Sequence, residues 1–299
     1  MEYRTLGRTG LAVSVLGFGT LEIGRNWPYW RQDKDDFSRP TEADAIKVIH
    51  KAMDVGINFF DTAPAYQDSE EILGKAFKGM RKEVLIGTKC GEWFDGNNSV
   101  YDYSYVETKK FIDNSLLLLQ TDYIDLLQIH SASADVIRRG ETLAAMKEAQ
   151  QRGKVRFIGL STDFIDAAQL AIESGEYDSL QVSYNCINSE MMKNVFPSAQ
   201  KKNLGIIIKD GMARGKLSPK YADGTTPEER TMIERIKSIA DKHQMSLPEL
   251  AVRFVISHPA VSSVIIGTKK IDNLLANSAS VANGALPQEI LNSIAEINS

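Results

Sequence analysis

Phe59-Phe60-Asp61-Thr62-Ala63-Pro64-Ala65-Tyr66 decides the reading of this chain. An apolar run ends in a carboxylate, turns through a proline and presents a phenol. Buried parallel strands read as short continuous apolar runs, and a polar group closing such a run stands where strand hands over to loop. The same punctuation recurs in Val84-Leu85-Ile86-Gly87-Thr88-Lys89 and in Ile124-Asp125-Leu126-Leu127-Gln128-Ile129-His130. In a (β/α) barrel the carboxyl ends of all strands converge on one face, where chemistry is done. Asp61, Tyr66, Lys89 and His130 would then share one pocket.

Working outward, eight apolar or β-branched runs stand out, over residues 15–20, 57–60, 84–88, 124–129, 157–160, 180–183, 205–208 and 263–266. Helical patterns separate them, which argues for right-handed βαβ units, and eight such units argue for closure. The expected fold is α/β, a (β/α)8 TIM barrel. Tyr3-Arg4-Thr5 and Ala12-Val13-Ser14 flank the turn 7–10 like a hairpin that caps the barrel bottom. Thr41 ahead of Glu42-Ala43-Asp44, and Thr226-Pro227-Glu228-Glu229, carry helix start signals. Ser246-Leu247-Pro248-Glu249 repeats them, so an extra helix is expected before the eighth strand and extra helices near the C-terminus. No low-complexity segment interrupts the series, and one domain over 1–299 is expected. The stretch 26–40, with two tryptophans and no apolar period, reads either as a loop over the barrel mouth or as a solvated insertion.

Composition excludes several classes. The 299 residues are 43 % hydrophobic and 25 % charged, as in globular proteins. A formal charge of −4 and a pI near 5.7 give no attraction to nucleic acid or anionic lipid. The N-terminus lacks an apolar leader and no run is long enough to span a membrane, so a cytoplasmic location is expected. Cys90 and Cys186 form no paired motif and read as reduced thiols, and the sequon Asn97-Asn98-Ser99 as unused. No metal ligand set is apparent.

Hydride transfer to a carbonyl leaves negative charge on oxygen, so a proton donor must be waiting. A free phenol, with a pKa near about 10, is a sluggish acid at neutral pH. Tyr66 is the candidate acid; Lys89 would lower its pKa, Asp61 would hold Lys89 charged and oriented, and His130 would donate a hydrogen bond to the carbonyl oxygen. Singly each residue has an ordinary reading: a turn aspartate, a loop tyrosine, a surface lysine, a filler histidine. Their joint placement at successive strand ends is what argues for chemistry.

The pattern Asp61-Thr62-Ala63-x-x-Tyr66-x-x-Ser69-Glu70-x-x-Leu73-Gly74, with Lys89 and Gln128-Ile129-His130, resembles the aldo-keto reductase family. The resemblance runs on through Ile158-Gly159-Leu160-Ser161, Gln181-Val182-Ser183-Tyr184-Asn185 and Val264-Ile265-Ile266-Gly267-Thr268. It implies a barrel enzyme that reduces an aldehyde, ketone or sugar carbonyl, with NADPH (NADP+) as cofactor and the four residues above in those roles. It also implies that Ser161 and Gln181 hydrogen-bond the carboxamide, and that Lys209, Asp210, Gly211, Met212, Ala213, Arg214, Gly215, Lys216 and Leu217 run along the pyrophosphate. Gly267, Thr268, Lys269 and Lys270, with Asn273 and Asn277, would clasp the 2′-phosphate and adenine.

The residues themselves agree with a late cofactor site. Gly17-Phe18-Gly19-Thr20-Leu21-Glu22 has Glu22 where a dinucleotide fold needs its third glycine, so a Rossmann site is excluded; Gly19 and Thr20 are instead counted with the barrel-mouth cofactor contacts. Lys209, Arg214 and Lys216 suit a diphosphate, and Lys269 and Lys270 favour NADPH over NADH by charge, unless they are ordinary surface lysines at a helix start. Leu21, Trp27 and Trp93 are candidate substrate contacts, the segment 92–103 and the residues after His130 set specificity, and the small Ser131-Ala132-Ser133-Ala134 hints at an open pocket.

Three positions depart from the family pattern. Lys209 stands where an aromatic residue usually stacks on nicotinamide, Thr162 replaces an asparagine, and Gln67 follows Tyr66 where glycine is common. A lysine at 209 would disfavour the oxidised ring. Rival readings are an NADPH-binding sensor with little turnover and a Schiff-base lyase using Lys89. Tyr105-x-x-x-Lys109 matches the short-chain dehydrogenase pair, but the glycine-rich turn that family needs is missing. The partner is expected to be a small carbonyl compound; oligomeric state leaves no trace in the sequence.

Overall fold

A computed structural model describes residues 1–27, 38–218 and 226–297. Its strands are β1 (Tyr3–Thr5), β2 (Ala12–Ser14), β3 (Leu16–Gly19), β4 (Phe59–Asp61), β5 (Leu85–Cys90), β6 (Glu92–Phe94), β7 (Ser99–Tyr101), β8 (Ile124–His130), β9 (Val155–Ser161), β10 (Ser179–Ser183), β11 (Gly205–Lys209) and β12 (Val261–Gly267). The eight strands β3, β4, β5, β8, β9, β10, β11 and β12 close into a parallel barrel in that order, each following one of the expected runs. β1 and β2 form the expected antiparallel hairpin. The ribbon β6–β7, also antiparallel, was not among the expected elements.

Alternation along each strand sorts the side chains into two cores. Phe60, Ile86, Leu127, Ile129, Ile158, Leu160, Val182 and Ile208 belong to the large apolar layer between barrel and helices. Phe59, Leu126 and Ile207, one residue out of phase, meet Leu6 and Val13 of the hairpin in a second, smaller cluster. Leu85, Phe157 and Ile265 pack against this cluster. The inward positions are therefore apolar in the lower barrel, where the hairpin plugs the N-terminal strand ends.

Two residues past Phe59, Leu126 and Ile207 the inward positions become polar, as Asp61, Gln128 and Lys209, and Ser161, four past Phe157, and Gln181 of β10 join them. Strand register sets them level, with Lys89 opposite Gln128, His130 opposite Ser161, and Ser161 opposite Gln181.

Helices cover the outside, and their caps are those the sequence suggests. Thr41 Oγ1 accepts from Asp44 N at 3.2 Å, opening the helix Glu42–Asp54. Thr226 and Glu229 form a reciprocal capping box at the start of Pro227–Lys242. Ser246 caps Leu247–Ile256, so among the described residues the interval before β12 holds two α-helices. Ile271–Ala282 and Gln288–Ile297 follow β12. Among the described residues no helix is long and apolar enough to cross a membrane.

Most of the stretch 26–40, residues 28–37, lies outside the described residues. Its flanks are tied together, since Arg39 N donates to Asn26 Oδ1 at 2.8 Å and Arg39 Nη1 to Gly24 O at 3.1 Å. Arg39 also pairs with Asp68.

Candidate active site

Asp61 ends β4, and its carboxylate is buried at the centre of the barrel mouth. Lys89, one residue before the end of β5, donates to Asp61 Oδ2 at 2.7 Å and to Thr62 O at 2.9 Å. The lysine is 1 % exposed, so the pair is shielded from solvent. Gln181 Nε2 donates to Asp61 Oδ1 at 2.8 Å, with Gln128 Nε2 more distant at 3.4 Å. Removing one member of a buried pair leaves an uncompensated charge, which costs about 3–5 kcal/mol.

Tyr66 closes the 3-10 turn Pro64–Tyr66 that follows β4. Lys89 Nζ lies 5.0 Å from its ring centroid, and the His130 ring meets it edge-on at 5.9 Å. Gly24 allows this turn to approach, because a Cβ there would fall 2.1 Å from Tyr66 O. Gln67, the next residue, has φ 51° and ψ −111°, a conformation that glycine adopts at much lower cost.

The expected lowering of the Tyr66 pKa is reversed. Packing of protein around the hydroxyl pushes the phenol well above its ordinary range, the carboxylates of Asp61 and Glu92 push it further, and Arg25 opposes them. Lys89 donates its hydrogen bonds to Asp61 and Thr62, and its ammonium lies 5.0 Å from the Tyr66 ring centroid.

His130 ends β8, and Tyr103 Oη donates to its backbone carbonyl at 2.8 Å. Glu92 Oε2 approaches its Nδ1 to 3.0 Å, a charge contact whose angle falls short of a well-aligned hydrogen bond. Burial lowers the imidazole pKa, Glu92 partly restores it, and Lys89 and Lys209 lower it further. Although burial works against ionisation of Glu92, His130 and the hydroxyls of Ser99 and Ser131 hold its carboxyl down to about 2. Glu92 was not singled out in the sequence; a carboxylate three residues past Lys89 was the available signal, and a weak one.

These groups form one end of a cavity of about 620 Å³, lined by Asp61, Tyr66 and His130. Lys89 stands just behind the wall. Ser161 and Gln181 line the cavity, and Ser161 Oγ is buried there without a hydrogen-bond partner. Further along come Gly19, Lys209, Asp210, Gly211, Met212, Arg214 and Gly215. Gly267, Thr268, Lys269, Lys270, Asn273 and Asn277 also line the cavity. Leu21 and Trp27 flank the mouth, and Ser246 and Pro248 join the wall without having been anticipated.

Besides Lys89, five anticipated residues, Thr20, Trp93, Ala213, Lys216 and Leu217, are not on this wall. Thr20 turns its hydroxyl to Asp61 O at 3.0 Å, Lys216 pairs with Glu229 at 2.5 Å, and Trp93 packs on Phe111. Lys209 lines the cavity, but Asp163 lies 3.2 Å from its ammonium, so its charge is directed to the rim and not solely toward a bound ring. Cys90 and Cys186 are buried and form no disulfide.

A parallel barrel whose carboxyl-end pocket joins a shielded lysine–aspartate pair, a tyrosine and a histidine to a long cation-bearing cleft has the layout of a barrel oxidoreductase. Comparison with known proteins narrows the class. The profile of the Aldo/keto reductase family matches residues 15–299. L-galactose dehydrogenase of Arabidopsis thaliana is 30 % identical over 296 residues, 94 % of this chain and 88 % of that protein. Aldo-keto reductase YhdN of Bacillus subtilis (strain 168) is 30 % identical over 301 residues, covering 93 % and 88 %. The holo form of aldo-keto reductase AKR11C1 from Bacillus halodurans superposes with a TM-score of 0.87 at 26 % identity, covering 100 % of this chain and 97 % of that one. The chain belongs to the aldo/keto reductase family, and is thereby an oxidoreductase of carbonyl chemistry that works with a nicotinamide cofactor.

Proposed function

We propose that the protein reduces an aldehyde, ketone or sugar carbonyl with NADPH, and reversibly oxidises the alcohol, with Tyr66 as general acid. The observation that carries this reading is the buried Lys89–Asp61 pair at 2.7 Å, set against the Tyr66 ring at one end of the 620 Å³ cavity. The unpartnered Ser161 Oγ supports a carboxamide ligand on the same wall, since a buried hydroxyl with no partner costs stability unless something completes it. A nicotinamide bound along this cleft supplies the hydride.

The raised pKa of Tyr66 fits an acid that keeps its proton until it is needed. An alkoxide is a far stronger base than a phenolate, so even a poorly acidic phenol protonates it. Asp61 fixes Lys89, and Lys89 fixes the ring by its position on the face. Gln181 reaches Asp61 with its amide nitrogen, which leaves its amide oxygen as the atom for a ligand. Lys269, Lys270, Asn273 and Asn277 would take the adenosine phosphate end, and their charge favours NADPH over NADH.

The test is NADPH oxidation with a panel of aldehydes, ketones and aldoses, comparing wild type with Tyr66→Phe while cofactor binding is followed by fluorescence. Turnover lost in the variant with binding retained supports Tyr66 as acid. Binding without turnover in wild type would favour a sensor role, and absence of NADPH binding would remove the cofactor assignment. Lys270→Met should weaken NADPH by about tenfold or more and leave NADH nearly unchanged; equal effects would refute the phosphate assignment.

A further inference from the structure

The chemistry above uses His130 as a neighbour of the reacting oxygen, and a carboxylate placed against its other nitrogen alters what the ring can do. Glu92 is 7 % exposed, an unusual setting for a charge. It is held there by design of the surrounding loop: Ser131 Oγ donates to Glu92 Oε2 at 3.0 Å, and the same oxygen lies 3.0 Å from His130 Nδ1. Among the described residues Nδ1 makes no aligned hydrogen bond, and its charge contact is with Glu92 Oε2. With Nδ1 turned to Glu92, the opposite edge of the ring, which carries Nε2, borders the cavity.

We propose that Glu92 is a positioning residue that keeps a proton on His130 Nδ1, so that Nε2 accepts a hydrogen bond when the ring is neutral and donates one only when the ring is protonated. A neutral imidazole has one N–H, and a carboxylate beside one nitrogen retains that proton. This inference rests on the carbonyl-reduction reading and deepens it. An alcohol ligand offers an O–H that a bare Nε2 can accept; a carbonyl ligand offers only lone pairs and needs Nε2–H. The neutral ring therefore selects the hydroxyl form of the substrate, and the protonated ring the carbonyl form. The hydride and the Tyr66 proton are transferred as before; His130 moves no proton of its own and sets which partner is bound well.

The charged and titratable groups facing the ring are Glu92 on β6, Lys89 on β5, Lys209 at the end of β11 and Tyr66 on the turn after β4. Glu92 stabilises the protonated ring, whereas burial and the two lysines disfavour it. The switch accordingly falls on the acid side of the ordinary histidine range, and at neutral pH the site is set for alcohol.

Long-range proton–nitrogen NMR of the histidine-labelled full-length protein tests this, with His130→Asn to assign the ring. The expected wild-type spectrum above the His130 transition has Nδ1 protonated and Nε2 bare. In Glu92→Gln the Nε2–H form should appear and the ring pKa should fall. An Nε2–H ring in wild type, or an unchanged spectrum in Glu92→Gln, overturns the proposal. The wild-type spectrum alone decides if that variant does not fold.

Kinetics add a second arm. Between about pH 5 and about pH 8, wild-type kcat/KM should fall about tenfold for carbonyl reduction and rise for alcohol oxidation. In Glu92→Gln the reduction limb should flatten to within about threefold, with the change in KM rather than kcat. Parallel profiles in both proteins count against Glu92. If no carbonyl is turned over at all, the reductase reading fails while the ring spectrum still judges Glu92.

Discussion

The two ends of the barrel interior are built from the same strands two residues apart, yet they obey opposite rules. At the bottom Phe59, Leu126 and Ile207 close on Leu6 and Val13. At the mouth the next inward positions, Asp61, Gln128 and Lys209, are polar, and several atoms there lack partners, among them Ser161 Oγ and Gln128 Oε1. The bottom is packed chiefly with apolar side chains, although Ser179 Oγ at the start of β10 also lacks a partner, while the mouth gathers polar groups around an open cavity. That contrast locates the ligand: groups a fold leaves incomplete are those a bound molecule completes.

Four substitutions would break or sharpen the contrast. Tyr66→Phe should cost about 10²–10⁴ in kcat while thermal stability shifts by about 1 kcal/mol or less; a large loss of stability with activity preserved would invert the assignment. Phe59→Ala should do the reverse, lowering stability by about 3–5 kcal/mol in denaturant melts and leaving pH profiles of the remaining activity unchanged.

Glu70 gives a third, because it is fully buried beneath the mouth. Thr88 Oγ1 donates to its Oε1 at 2.6 Å, its Oε2 is unpartnered, and burial raises its pKa to about 7. The unfolded chain releases this proton near the ordinary 4.5, the folded one only near 7, so stability falls as pH rises through that window and is flat above it. The loss is about 3 kcal/mol. Glu70→Gln should remove that slope, measured as unfolding free energy from about pH 4.5 to about pH 8; an unaltered slope would assign it to other groups. The smallest effect is expected at Gln67. Relief of its backbone strain in Gln67→Gly, offset by glycine's flexibility, should raise stability by about 1 kcal/mol; a loss would show the side chain contributes more than the strain costs.

Strand runs and helix caps were legible because burial on both faces and N-terminal N–H groups impose local composition. The strand-end residues Asp61, Lys89 and His130 were legible for the same reason, as polar breaks in apolar runs. What failed depended on where side chains turn in space. Thr20 and Lys216 stand in the right segments but are drawn to Asp61 O and Glu229. The sign of the Tyr66 shift is set first by burial of its hydroxyl and then by Asp61 and Glu92 lying near, and neither the burial nor those distances are encoded locally. Glu92 itself sits on the short ribbon β6–β7, with three residues in each strand, where no period exists to announce it.

The hairpin at the bottom also carries a schedule. Gly7 sits so close to the start of β11 that a Cβ would fall 2.2 Å from Gly205 N. Arg4 Nη1 binds Val261 O at 2.8 Å, and Arg8 Nη2 binds Gly175 O at 2.8 Å. The plug is made first by the ribosome, but its sockets are made some 200 residues later, about 10–40 s at ordinary synthesis rates. For that interval Leu6 and Val13 have only Phe59 and Leu126 of their later cluster, and the barrel closes only when its eighth strand, which carries Val261, arrives.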